Sequence, residues 1–136
     1  MSEPVKRILF VDDERTICKI MVSRLKKSNF DVMAVESGAE MLEKAKDVKP
    51  DLVILDHLMP GMTGLEACHK LKMNQETKEI PVIMFTGHHK VAFEEECLNA
   101  GAVGVIYKPD VGGLLQLAKD VFAGREVDPA VEEEDL

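Results

Sequence analysis

Four places in the chain set a reactive group at the end of a short apolar run. Asp12 and Asp13 follow "RILFV" (7–11), Asp56 follows "DLVIL" (51–55), Thr86 follows "PVIMF" (81–85) and Lys108 follows "VGVIY" (103–107). Three carboxylates brought together repel one another, so they are tolerable only if protonated or if a cation sits among them. A small set of hard oxygens that leaves room for water and phosphate suits Mg²⁺ better than an all-protein calcium cage. Phosphoryl transfer is the chemistry that follows. A carboxylate can attack phosphorus to form an aspartyl phosphate while the metal spreads the developing charge. The Thr86 hydroxyl and the Lys108 ammonium are then the two groups that could hold the remaining phosphoryl oxygens.

This reading depends on elements that carry the four places to one crevice. Five strand-length apolar runs, at 7–11, 31–35, 51–55, 81–85 and 103–107, alternate with segments of helical spacing. Ile17, Ile20, Met21 and Leu25 mark the first helix, Leu65, Cys68 and Leu71 the third, and Leu114, Leu117, Ala118 and Val121 the fifth, which ends near Gly124. Asn29 and Gly101 stand where helix stops are expected. The alternation predicts an α/β fold, a flavodoxin-like doubly wound (βα)5 with a five-stranded parallel sheet in the order 2-1-3-4-5. Ligands of such sheets bind beyond the carboxyl ends of strands 1 and 3, where Asp12, Asp13 and Asp56 are expected to converge.

Taken singly, each residue has a plainer role. Asp12 or Asp13 could cap the first helix, Thr86 could be a turn hydroxyl and Lys108 a solvated charge. Their joint placement at one sheet end favours the site. His88-His89 read as loop histidines rather than a metal pair, Glu94 to Glu96 as a solvated helix face, and the eight methionines as core filler. Cys18, Cys68 and Cys97 are widely spaced, form no C-x-x-C pair and read as helix packing residues of a reducing cytoplasm.

A chain of 136 residues with 46% apolar and 31% charged residues suits one soluble domain. It offers no signal peptide pattern and no apolar run of membrane-spanning length. The net charge of −8 argues against direct nucleic-acid binding and membrane insertion is not expected. Residues 1–123 read as the domain, and 124–136 as an acidic, disordered tail.

The motifs "FVDDE" (10–14), "ILDHLMPGMTG" (54–64), "MFTG" (84–87) and "YKP" (107–109) resemble, in order and across roughly residues 5–123, the receiver domain of two-component response regulators, chemotaxis-type and single-domain. The resemblance implies that Asp56 accepts the phosphoryl group from a sensor histidine kinase or a histidine phosphotransfer protein, and that Asp12, Asp13 and Asp56 hold Mg²⁺, Asp13 directly. It also implies the backbone carbonyl of Leu58 as a further ligand, Thr86 as switch hydroxyl, Lys108 as phosphate-pairing cation and a cis Lys108-Pro109 bond. Such a chain would signal through contacts with a downstream protein target and catalyse no reaction beyond its own phosphorylation and dephosphorylation. One departure stands out: Val105 occupies the place where receivers often carry an aromatic, and Tyr107 lies two residues later on the same strand face. Leu58 and His88 are expected to flank the phosphoryl group.

Two rival functions fit less well. An aspartate-nucleophile phosphatase of the haloacid dehalogenase type wants a second acid where Leu58 stands, and a flavodoxin-like ligand-binding module wants glycines where the turn after the first strand reads "DDERT".

Overall fold

The strands carry continuous rather than alternating apolar residues because both faces of the sheet are covered. The computed structural model describes residues 4–88 and 90–124; His89 and the acidic segment 125–136 lie outside the described residues, and with them the loop reading of His89 and the disordered tail. Strands β1 (Arg7–Val11), β2 (Asp31–Val35), β3 (Leu52–Leu55), β4 (Val82–Thr86) and β5 (Gly104–Tyr107) alternate with helices α1 (Arg15–Lys27), α2 (Gly38–Val48), α3 (Gly64–Met73), α4 (Val91–Asn99) and α5 (Val111–Phe122). All strand pairs are parallel and the order is β2-β1-β3-β4-β5, the doubly wound sheet anticipated from the sequence.

Alternate side chains along each strand serve opposite layers. Leu9, Val11, Val53, Leu55, Val82 and Met84 pack with residues of α2, α3 and α4, among them Met41, Cys68, Leu71, Phe93 and Cys97. Ile8, Phe10, Leu52, Ile54, Ile83 and Phe85 pack with Cys18, Met21 and Leu25 of α1 and Leu114 and Ala118 of α5. Each large aliphatic side chain so buried contributes about 1.5–3 kcal/mol relative to exposure. All three cysteines are buried on helices, and Met21, Met41, Met59 and Met84 are buried as core residues. Among the described helices none is long and apolar enough to cross a membrane.

Two details differ from expectation. On α1 the buried stripe is Cys18, Met21 and Leu25, while Ile20 is 49% exposed. The helix carries more apolar positions than the sheet can cover, and burial of Cys18 turns Ile20 outward. Thr86 closes β4 rather than following it. The expected stops are present: Asn29 and Gly101 have φ of 68° and 106°, the left-handed conformation that ends helices. Lys49, at φ 45°, ends α2 the same way without any glycine or asparagine signal.

Register then sets the site. Pairing of Val11 with Leu55 and of Thr86 with Tyr107 brings the carboxyl ends of neighbouring strands level, so the residues just beyond them share one crevice.

Candidate functional site

The backbone at the strand ends is fixed before any side chain acts. The Asp12 amide donates to the Val35 carbonyl (3.2 Å) and the Asp56 amide to that of Val11 (3.0 Å), which extends the ladders one residue past β1 and β3. Asp12 is fully buried, Asp56 is 7% exposed and Asp13 lies half-buried beside them. One carboxylate oxygen from each lies within 4.8 Å of those of the other two. The three acids therefore do converge.

Lys108 answers them from the end of β5. Its Nζ stands 2.7 Å from Asp12 Oδ2 and 3.5 Å from Asp56 Oδ2. The Lys108 amide donates to the Thr86 carbonyl (2.9 Å), and the Lys108-Pro109 peptide bond is cis. Burial raises the Asp56 carboxyl above its ordinary value, and the Asp12 charge adds to this, while Lys108 and the His57 amide pull it back. For Lys108, burial works against the charge, but the bond to Asp12 and the charges of Asp56 and Asp12 outweigh it. The ammonium holds its proton more tightly than a free lysine. Among the described residues Lys108 is the cation paired with these acids, so negative charge remains in excess.

Asp12 also shapes the first turn of α1, though not as its cap. Glu14 is the N-cap and makes no side-chain cap bond; its amide instead donates to Asp12 Oδ1 (2.9 Å). Cys18 Sγ donates to the Asp12 carbonyl (3.2 Å), a contact the sequence did not signal. Past Asp56 the chain folds back so that the Gly64 amide meets the His57 carbonyl (2.7 Å). A Cβ on Gly64 would lie 2.0 Å from the Asp56 carbonyl oxygen, so glycine alone fits there. Thr63 and Glu66 then form a capping box that starts α3. Leu58, inside this loop, is 61% exposed at the rim.

Thr86 is buried at the end of β4, and its Oγ1 accepts from the His88 amide (3.2 Å). The His57 amide does the same for Asp56 Oδ1 (2.8 Å). The rings of both histidines gather on Phe93 of α4, at centroid distances of 4.3 Å for His57 and 4.8 Å for His88, with 5.3 Å between the two. His57 Nδ1 also accepts from the Leu65 amide (3.4 Å), and burial followed by the neighbouring His88 makes His57 harder to protonate. Sequence reasoning missed this cluster, which joins three segments distant in the chain.

Val105 packs against the α2–α4 layer. Tyr107, on the same face, donates its hydroxyl to Glu94 Oε2 (3.2 Å). Glu94 is accordingly half-buried, unlike the solvated Glu95 and Glu96.

Residues 8–119 match the family described as the response regulator receiver domain. The Bacillus subtilis alkaline phosphatase synthesis transcriptional regulatory protein PhoP is 36% identical over 104 residues, 76% of this chain and 42% of that protein; the chain thus spans under half the length of that relative. In structure, Vibrio cholerae chemotaxis protein CheY4 superposes with a TM-score of 0.81 at 29% identity, covering 87% of this chain and 99% of that one. CheY in the CheX-CheY-BeF₃-Mg²⁺ complex of Borrelia burgdorferi gives 0.80 at 29% identity, covering 86% of this chain and 89% of that one. The strand order, the acid crevice and the match over most of its length lead to one conclusion: this chain belongs to the response regulator receiver domain family.

Proposed function

We propose that the chain is a phosphorylation-controlled signalling domain in which Asp56 is the phosphoacceptor. The observation that carries this is the convergence of Asp12, Asp13 and Asp56 within 4.8 Å, faced by Lys108. Three hard carboxylate donors with uncompensated charge fit a small divalent cation, and Asp12, Asp13, Asp56 and the Leu58 carbonyl would hold Mg²⁺. The bound ion would offset the carboxylate charge and the charge developing on the phosphoryl oxygens.

The chain's own groups divide the remaining work. The Asp56 carboxylate attacks phosphorus, an O–P bond forms, and the N–P bond to the donor histidine breaks, so the electron pair returns to the donor imidazole. The His57 amide steadies Asp56 Oδ1 during attack. Lys108, held by Asp12, pairs with the transferred oxygens, and the Thr86 hydroxyl donates to one of them. The donor is a sensor histidine kinase or a histidine phosphotransfer protein, in a cytoplasmic setting. Activity is confined to the chain's own phosphorylation and dephosphorylation. Output leaves through protein contacts on the face formed by α4, β5 and α5. The beryllofluoride and magnesium named for the Borrelia complex support the same chemistry here.

The test is incubation with Mg²⁺ and acetyl phosphate. A mass gain of one phosphoryl group, stable to acid and labile to base, is expected, and Asp56→Asn abolishes it. Full labelling of that variant would overturn the assignment.

A further inference from the structure

Both groups that change at phosphorylation are already tied, through the backbone, to a histidine that follows them. The His57 amide bonds Asp56 Oδ1 and the His88 amide bonds Thr86 Oγ1. The two imidazoles meet on one ring, Phe93, which is 3% exposed near the start of α4. On β5 the position of Val105 is aliphatic, and the aromatic that reaches α4 is Tyr107, in register with Thr86 and bonded to Glu94.

We propose that the His57–His88–Phe93 cluster is the coupler that transmits the state of the acid crevice to α4, with both histidines acting as positioning residues. The inference rests on Asp56 being the phosphoacceptor. Esterifying Asp56 replaces a carboxylate with an ester-like group, so any bond from the His57 amide weakens, because charge-assisted bonds are about twice as strong as neutral ones. A Thr86 hydroxyl turned toward a phosphoryl oxygen moves its oxygen away from the His88 amide. The backbone amides of both histidines thus lose or weaken their bonds to the strand-end side chains together, and the backbone that carries each imidazole is free to shift. They are packed on Phe93 at ordinary contact distance, so neither can shift without moving that ring. Phe93 belongs to the α2–α4 core layer and sits beside Glu94, whose carboxylate holds Tyr107 of β5. A displacement of the first turn of α4 is therefore felt at the β5 edge as well. Two packed arrangements, rather than a continuous drift, are the form such a change takes.

The experiment uses amide and methyl NMR shifts of the intact chain, with and without Mg²⁺ plus beryllofluoride, beside acetyl phosphate labelling by mass. Wild type is expected to label and to show perturbations around Asp56 and Lys108 and along α4. Phe93→Leu should keep the label and the perturbations at Asp56 and Lys108 while losing those from Glu94 to Asn99. His88→Ala, a half-buried loop change that spares the core, should give the same loss and serves if the Phe93 variant does not fold. Perturbations of α4 that persist undiminished in the folded variant overturn the coupler. Failure of wild type to label sinks the phosphoacceptor reading instead, and the two failures are told apart by the mass measurement.

Discussion

At the scale of single residues the site is built from groups that are costly to bring together. Asp56 is held above its ordinary carboxyl value by burial and by Asp12, so the folded chain binds that proton more tightly than the unfolded chain does. The sign follows: charged Asp56 opposes folding at neutral pH, and the opposition disappears as the pH falls to the ordinary value of 3.8. Asp56→Asn in metal-free buffer should therefore gain on the order of 1 kcal/mol, roughly 4 °C in Tm, at pH 7, a gain that shrinks on acidification. Thermal melts across pH test this, and an unchanged or lower Tm at pH 7 contradicts it. Lys108→Ala removes the cation from Asp12 and Asp56, so Mg²⁺ affinity should hold or tighten while phosphorylation falls. Isothermal titration separates the two, and a large loss of Mg²⁺ affinity would contradict the assigned role. These residues were legible because each acid, hydroxyl or ammonium follows an apolar run, which marks a strand end. The histidine rings were not: nothing local to His57 or His88 specifies that Phe93, from another element, will meet them.

At the scale of elements, strands were easier to read than helices. A strand buried on both faces needs every residue apolar, and "LVIL" admits one interpretation. Helix faces are a matter of angle, and α1 offers Ile17, Cys18, Ile20, Met21, Val22 and Leu25, a stripe wider than its contact with the sheet. Which edge is left out depends on the packing against β1 and β2, hence the exposed Ile20. Glu94 was misread for a related reason, since its partner Tyr107 comes from β5 and its neighbours Glu95 and Glu96 are solvated. The junction of β3 with α3 gives the sharpest element-level test. Gly64→Ala places a methyl where the Asp56 carbonyl already lies, and the backbone there cannot yield as a long side chain could. A loss of about 2–4 kcal/mol in denaturant unfolding is expected, with weakened Mg²⁺ binding because Asp56 shifts. A neutral effect on both would mean that the loop of residues 57–63 relaxes freely.

At the scale of the whole molecule, ligand and fold are linked by mass action. If Mg²⁺ binds the folded chain alone, saturation at 100 times its Kd should add about 2.7 kcal/mol to stability. Melts with Mg²⁺ and with a chelator measure this, and Asp13→Ala should lose most of the difference; identical melts would remove the acid cluster as a cation site. Burial also gives the molecule an internal clock. The thiols of Cys18 and Cys68 are pushed up to about 11 and that of Cys97 to about 12, in each case mainly by burial. Thiolate is the form that alkylating reagents attack, so these cysteines are inert while the layers stay closed. Their labelling rates therefore count openings of the structure. Because Cys18 lies under α1 and α5 while Cys68 and Cys97 lie under the opposite helices, the order in which the three are alkylated reports which side of the sheet lets go first.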